Sequence, residues 1–208
     1  MDGRDAVRYV LENNIPGVFV ECGCGNGNFQ IAWIRELKKQ NEKRHMYLYD
    51  TFAGLTEPNE KDFTVQESTQ YTMTKDEVYK IWTANKQSDT VNNWCNWSVD
   101  QVKNTLRQEE YDETFLHYIV GDVRQTLLVD SNLPDQISML RLDTDWYDST
   151  LVELQRLYHK VSPKGIVILD DYFHWNGQQE ATLQFLNSLP SPPSILRVDA
   201  KTAAFFKN

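Results

Sequence analysis

Short apolar runs rich in β-branched and aromatic residues alternate along the chain with segments whose apolar residues recur at helical spacing. This alternation predicts a doubly wound, mostly parallel α/β sheet. Only Asp199 to Thr202 separate the last two runs, which is too short for a parallel crossover, so these runs are predicted to pair as an antiparallel hairpin. The predicted strands are Gly17 to Glu21, Met46 to Asp50, Phe115 to Val120, Ile137 to Asp143, Gly165 to Asp170, Ile195 to Val198 and Ala203 to Phe206.

Two of the segments between these strands have the pattern of crossover helices. The first pattern is formed by Phe29, Ala32, Trp33 and Leu37. The second has a predicted buried stripe of Leu151, Leu154, Leu157 and Tyr158. Thr150 and Glu153 have the spacing of a capping box, which predicts that the second helix begins there.

The connection from Thr51 to Thr114 is longer than a usual crossover, so it is predicted to contain extra structure. We predict one domain over residues 1–208 with a lid-like insertion at about 51–98. Tryptophans in the insertion either cover a ligand or pack the added helices, and both interpretations are open. The predicted parts are a polar loop at Glu57 to Gln70, a helix at Asp76 to Ala84, a helix through Val99, Val102 and Leu106, and the tryptophans Trp82, Trp94 and Trp97.

The charge balance excludes one large class of partners. Among 208 residues there are 21 basic and 30 acidic side chains, giving a net charge of -9, which argues against binding a nucleic-acid backbone.

No apolar stretch approaches the length of a membrane span, and the first residues lack the features of a signal peptide. Cys22, Cys24 and Cys95 are an odd number and are predicted to be reduced. We therefore expect a soluble, cytoplasmic protein.

Two apolar runs end in paired acids: one in Asp143 and Asp145, the other in Asp170 and Asp171. As buried parallel strands, both runs would deliver their carboxylates to the same end of the sheet, where open α/β sheets keep their active sites. Like charges at close range raise each other's pKa, and a hard divalent cation relieves the repulsion. The pattern predicts a metal site.

The first strand runs into a loop with an acidic residue, Glu21, and three alternate glycines, Gly23, Gly25 and Gly27. Glycines at a strand-to-helix turn allow close approach of a ligand to the backbone. Asp50 ends the second strand, where a carboxylate can accept hydrogen bonds from the two hydroxyls of a ribose. Position 28 is asparagine, so the third glycine of the dinucleotide fingerprint is missing, and a pyrophosphate is disfavoured.

At this point the chain resembles the macrocin O-methyltransferase family, metal-dependent class I methyltransferases that act on sugar hydroxyls in antibiotic biosynthesis. The resemblance rests on Glu21 to Gly27, Asp50 to Leu55, Gly121-Asp122-Val123, Leu140 to Thr150, and Asp170-Asp171-Tyr172. It implies a seven-stranded class I methyltransferase sheet. It also implies Mg²⁺ held by Asp143, Asp170 and Asp171, and S-adenosylmethionine across the glycine loop. In that arrangement Glu21 lies near the positive sulfonium, Asp50 on the ribose and Asp122 on the adenine edge.

The general base is predicted to be Asp145, with His174 as the alternative. In the similar catechol O-methyltransferases a lysine base follows the corresponding metal aspartate by three residues, and that position here is Trp146. The glycine loop and both acid pairs together predict a Mg²⁺-dependent O-methyltransferase. Its predicted substrate is a vicinal diol on a sugar or glycosylated small molecule.

Two alternatives remain open from the sequence. Asp143-Thr144-Asp145 also has the form of the D-x-D motif of metal-dependent nucleotide-sugar glycosyltransferases. A protein that binds S-adenosylmethionine without turnover could keep the glycine loop alone. The sequence also leaves assembly open, with a homodimer as one alternative.

Overall fold

A computed structural model describes residues 3–65 and 72–208. Within these residues seven strands form one sheet: β1 Val18–Cys22, β2 Met46–Asp50, β3 Leu116–Val120, β4 Ile137–Leu142, β5 Val161–Leu169, β6 Leu196–Arg197 and β7 Ala203–Phe206. Their order is β3-β2-β1-β4-β5-β7-β6, with the first five strands parallel and β7 antiparallel to both its neighbours. The predicted mostly parallel sheet with a C-terminal hairpin is confirmed.

The helices cover both faces of the sheet because successive strand residues point to opposite sides. In β1, for example, Phe19 packs in one apolar core and Val20 in the other. The first core receives side chains from α1, α2 and α4, and the second from α5, α6 and α7. The helices of the described residues are α1 Gly3–Glu12, α2 Asn28–Lys39, α3 Lys75–Asn85, α4 Val99–Arg107, α5 Val123–Thr126, α6 Tyr147–Leu157 and α7 Asn176–Asn187.

The predicted start of α6 was wrong. The helix begins at Tyr147, and both Thr150 and Glu153 are buried within it instead of forming a capping box. Glu153 accepts a hydrogen bond from Thr144 Oγ1 at 2.8 Å, so its side chain points toward the loop before the helix. Among the strands, the largest difference is at β5, which begins at Val161 and not at Gly165, and the other strand bounds agree with the prediction to within one residue.

The long connection after β2 contains α3 and α4, close to where both helices were predicted. Of the predicted polar loop, residues 57–65 are described as non-helical, and residues 66–70 lie outside the described residues. Trp82 is buried and its indole N–H donates to Leu55 O at 2.9 Å. Trp94 packs edge-on against Trp146 and Trp175. These two tryptophans therefore serve packing, as one of the two interpretations predicted.

The strand order reverses between β1 and β4, because the strands after β1 are added on one side of it and β4 and β5 on the other. β1 and β4 are parallel neighbours, so their carboxyl ends are adjacent. Open α/β sheets bind ligands in the crevice at such a switch point. The glycine loop follows β1 and the first acid pair follows β4, so both predicted motifs lie at this crevice. Among the described residues, none of the helices is long and apolar enough to cross a membrane.

Candidate active site

The glycine loop after β1 is folded around the carboxylate of Asp50. Cys24 N–H donates to Asp50 Oδ2 at 2.6 Å, and Phe52 N–H donates to Asp50 Oδ1 at 2.7 Å. Burial raises the pKa of Asp50, while backbone hydrogen bonds, including one from Gly25, act in the opposite direction. A carboxylate has about four acceptor positions, so Asp50 can bind the loop and still accept hydrogen bonds from a ligand.

The first two glycines of the loop have different roles. Gly25 has φ +51°, and a Cβ built there would meet nothing within 4 Å, so the backbone is open on that side. Gly23 has φ +83°, and its Cβ would lie 2.1 Å from the carbonyl oxygen of Asp143. Gly25 thus permits approach of a ligand, whereas Gly23 permits contact between the loops after β1 and β4.

Asp122 lies beyond β3 at the N-cap of α5. Its Oδ1 accepts from the Arg124 N–H at 2.9 Å, and its two oxygens also bind the Arg124 guanidinium, with the shortest contact at 2.6 Å. The side chain is partly exposed and lines the same cavity as Asp50. This position agrees with the predicted place at the adenine edge, although the role itself stays a prediction.

Three carboxylates from two strand ends meet beside the glycine loop. Asp143, Asp145 and Asp171 each offer an oxygen, and these oxygens lie within 4.8 Å of one another. Burial raises the pKa of all three acids, and the neighbouring carboxylates raise them further; Asp145 and Asp171 share a hydrogen bond. The donor set is all oxygen and electrostatically strained, which fits a hard divalent cation such as Mg²⁺.

One cavity of about 310 Å³ joins these features. Gly23, Gly25, Asp50 and Asp122 line this cavity, and we call them the cofactor end; Asp143, Asp145 and Asp171 also line it, and we call them the acid end. Residues of the long connection also line it, namely Thr51, Gly54, Leu55, Thr56, Cys95 and Trp97. A nucleoside and a cation could therefore occupy a common space.

Comparison with known families decides the class of protein. The chain matches the family described as Macrocin-O-methyltransferase (TylF) over residues 2–208. This chain belongs to that family. It is therefore a methyltransferase, and the resemblance that the motifs indicated is confirmed.

Two curated relatives of this methyltransferase are named as O-methyltransferases. Demethyldecarbamoylnovobiocin O-methyltransferase of Streptomyces niveus is 27% identical over 198 residues, covering 94% of this chain and 68% of the relative. The second is 8-demethyl-8-(2,3-dimethoxy-alpha-L-rhamnosyl)-tetracenomycin-C 4'-O-methyltransferase of Streptomyces olivaceus. It is 25% identical over 168 residues, covering 80% of this chain and 57% of the relative. The relatives are thus longer than the methyltransferase described by this sequence.

Solved structures agree with the class I methyltransferase fold. The structure of the O-methyltransferase NovP has a TM-score of 0.80 and 23% identity, covering 99% of this chain and 77% of that chain. The calicheamicin methyltransferase CalS11 has a TM-score of 0.69 and 20% identity, covering 98% of this chain and 76% of that chain. At these identities the likeness shows the fold, which matches the predicted sheet with its terminal hairpin.

The structure separates Asp170 from the other predicted metal ligands. Asp170 Oδ1 binds Arg141 Nη2 at 2.6 Å, and the side chain lines a different cavity from that of Asp143 and Asp171. Arg141 is buried and also binds Asp143 at 2.9 Å and Glu21, so it joins carboxylates from three adjacent strands. An arginine inside an apolar strand is typical of pairing with a carboxylate, and the structure shows which carboxylates Arg141 binds. The role of Asp170 as a metal ligand stays a prediction, and its second carboxylate oxygen is available for that role.

Glu21 is fully buried beneath the glycine loop and is absent from the cavity lining. Its two oxygens bind Arg141 and Gln30 Nε2. Burial raises the pKa of Glu21 to about 7, although the Arg141 charge opposes this shift. Glu21 therefore binds two side chains from β4 and α2, and its predicted cofactor contact stays a prediction.

The two predicted bases have different surroundings. Asp145 lies in the cavity and has φ +68°, a left-handed conformation that aspartate adopts more readily than most residues. His174 is not among the lining residues, and its Nδ1 is buried without a hydrogen-bond partner in the described part of the chain. Burial lowers the pKa of His174, with Asp171 acting in the opposite direction. The geometry favours Asp145.

Sequence reasoning gave no role to several of the residues that line the cavity, among them Thr144, Ser149, Cys95 and Leu55. Thr144 lies within the metal motif and Ser149 lies shortly after it, so both could have been included from their position alone. Cys95 carried no signal, because a single cysteine in a polar connection is uninformative. Trp97 was singled out as part of a lid, and it lines the cavity.

Proposed function

We propose that this methyltransferase transfers the methyl group of S-adenosylmethionine to a hydroxyl of a vicinal diol on a sugar or glycosylated small molecule, with Mg²⁺ at the acid end. The observation that carries the proposal is the single cavity with a nucleoside-type site at one end and three clustered carboxylates at the other. The names of relatives support a sugar acceptor, because one relative methylates a rhamnosyl group.

The chain's own residues divide the work as follows. Asp50 and Asp122 bind the nucleoside, and the open backbone at Gly25 lets it lie against the loop. Asp143 and Asp171 belong both to the predicted ligand set and to the observed cluster, so we assign them to the cation. When bound, S-adenosylmethionine supplies the methyl group and Mg²⁺ lowers the pKa of a coordinated hydroxyl.

Asp145 takes the proton from the acceptor hydroxyl in this proposal. The oxygen forms its bond to the methyl carbon as the bond from that carbon to the sulfonium sulfur breaks, and S-adenosylhomocysteine leaves with the electron pair of the broken bond. The hydroxyl's bond to hydrogen also breaks, and the proton moves to the Asp145 carboxylate. A general base works best when its pKa is near the working pH, and burial with two acidic neighbours raises the pKa of Asp145. The family assignment gives no support to the glycosyltransferase alternative.

The test is calorimetric titration with S-adenosylhomocysteine and, separately, with Mg²⁺, followed by a methyl-transfer assay on a panel of sugar diols. The parent protein is expected to bind both ligands. Asp171→Asn is expected to keep the nucleoside affinity within about threefold and to lose at least about tenfold in Mg²⁺ affinity. Asp135→Asn, at an exposed aspartate distant from the acid cluster, is the matched control.

Asp145→Asn separates the base from the ligands. We expect this variant to bind both ligands and to lose about 100-fold or more in turnover. Absence of S-adenosylhomocysteine binding in the parent would refute the enzyme assignment. Binding without turnover on any diol would support the non-catalytic alternative.

A further inference from the structure

The helices that follow the two acid loops are each preceded by a residue whose side chain cannot cap the helix. Trp146 precedes α6 and Trp175 precedes α7. An indole has a donor and no acceptor, so neither tryptophan can accept from the first backbone N–H groups of its helix. Those groups lie within a few residues of Asp145 and Asp171, and their acceptors come from water or from another part of the chain.

Asp62, from the insertion, is that acceptor for α6. Its side chain is buried, with 1% of the residue exposed, and Oδ1 accepts from Tyr147 N–H at 2.8 Å. The other oxygen accepts from Asn59 N–H at 2.7 Å, which fixes the carboxylate in its own turn. Asp62 is thereby bound on both oxygens by backbone groups.

The same carboxylate is packed against the first turn of α7. A Cβ at Gly177 would lie 1.9 Å from Asp62 Oδ1, so only glycine permits this approach. The carboxylate therefore lies at the amino ends of both helices, where the helix dipoles favour a negative charge. One side chain of the insertion reaches the structure behind both acid loops.

The residues on either side of Asp62 also contact residues at or near the starts of α6 and α7. Phe63 O accepts from Asn176 N–H at 2.9 Å, and Val65 N–H donates to His174 O at 2.8 Å. Lys61 Nζ binds Glu180 on α7 at 2.5 Å and lies over the Tyr147 ring. Residues 59–65, which we call the strap, thus cross the start of both helices.

We propose that Asp62 is a positioning residue for the cation site, holding Asp143, Asp145 and Asp171 together by fixing the starts of α6 and α7. The proposal rests on the function proposed above. Asp62 does not line the cavity and acts through Tyr147 and the first turn of α7. The cofactor end is held by different contacts, those of Asp50 with the glycine loop, and is expected to be independent of Asp62.

This proposal predicts a split between two affinities. Partners that orient metal ligands are typically worth about 10- to 100-fold in metal affinity. Asp62→Ala is therefore expected to weaken Mg²⁺ binding by at least about tenfold and to leave S-adenosylhomocysteine binding within about threefold. Asp62→Asn keeps one acceptor oxygen and is expected to have an intermediate Mg²⁺ affinity.

Amide hydrogen exchange, measured on metal-free protein, gives a second readout. Asp62→Ala is expected to accelerate exchange in segments 143–150 and 171–178, with β1 to β3 unchanged. The control is Asp112→Ala, because Asp112 Oδ1 accepts from a backbone N–H, that of Thr114, just before β3 and away from the acid end. This control is expected to change neither Mg²⁺ affinity nor exchange at the acid loops.

Each outcome decides between a positioning role and a general structural one. Unchanged Mg²⁺ affinity in Asp62→Ala overturns the proposal, and so does faster exchange spread evenly over the whole sheet. If Asp62→Ala does not fold, the same two measurements on Asp62→Asn decide the question, with parent-like affinity and exchange counting against it. If the parent itself binds no Mg²⁺, the proposed function fails, whereas the exchange pattern still tests the attachment.

Discussion

At the cofactor end of the cavity, Asp50 and Asp122 accept hydrogen bonds from backbone groups of their own or the adjacent loop. At the acid end, Asp143, Asp145 and Asp171 face one another, and burial and mutual repulsion raise the pKa of each. Their positions depend on residues from outside the two acid loops, namely Arg141 within β4 and Asp62 in the insertion.

The difference teaches that the two ends are completed in different ways. Carboxylates at the cofactor end already have partners, so that end is formed by the protein alone. The acid end is left with an excess of negative charge that a cation would neutralise. The following changes test how far the two ends are independent, beginning with the largest expected effect.

Arg141→Met removes the buried guanidinium that links the cofactor end of the cavity to the acid end. The buried guanidinium binds Glu21 beneath the glycine loop and Asp143 and Asp170 beside the acid end. Removing one member of a buried ion pair typically costs about 3–5 kcal/mol, because its partners remain buried and unpaired. We expect a loss of this size in the free energy of unfolding, measured by urea denaturation.

Arg35→Met is the control for this change. Arg35 binds Glu109 at 2.7 Å, but its side chain is 66% exposed. Exposed ion pairs contribute little to stability because solvent screens them, so this variant should unfold near the parent midpoint. Equal losses in both arginine variants would show that the buried Arg141 network contributes no more stability than an exposed ion pair.

Glu153→Gln tests the buried acid behind Thr144. Burial raises the pKa of Glu153 to about 8, and Oε2 has no hydrogen-bond partner among the described residues. Because the folded-state pKa lies above the unfolded value, the parent loses stability as pH rises from about 4.5 through about 8. Glutamine cannot ionise and should escape this loss.

We expect the stability difference between Glu153→Gln and the parent to grow by about 2–4 kcal/mol from pH 5 to pH 9. Urea denaturation at both pH values measures it. Because other groups titrate in both proteins, only the difference between the two curves reports on Glu153. Parallel curves would mean that this carboxyl is not held in its neutral form.

Gly25→Ala should affect the cofactor end alone. The new methyl group would occupy open space on the cavity side, and alanine at φ +51° costs about 1–2 kcal/mol. We expect about tenfold weaker S-adenosylhomocysteine binding by calorimetry, with Mg²⁺ affinity unchanged. Asn14→Ala, at φ 52° in an exposed turn, controls for backbone strain. A matching loss of Mg²⁺ affinity in Gly25→Ala would show that the ends are coupled.

Much of the fold was predictable because strand periodicity and short connections constrain it strongly. The runs ending at Asp50 and Asp143 gave both the strands and their acidic ends, and parallel order then brought glycine loop and acids together. The start of α6 was not predictable, because Trp146 carries no capping signal and Asp62 supplies the acceptor from far along the chain. Asp62 itself lies in a polar stretch, typical of a solvated loop, and only tertiary packing buries it.

Gly23 has a consequence that extends beyond its own loop. Its backbone meets the Asp143 carbonyl so closely that a single methyl group would have to push the two loops apart. One of these loops would carry the methyl donor and the other would carry the acceptor. The two loops are thus in direct backbone contact, with no side chain between them. A larger residue at position 23 would therefore change the spacing between these two loops.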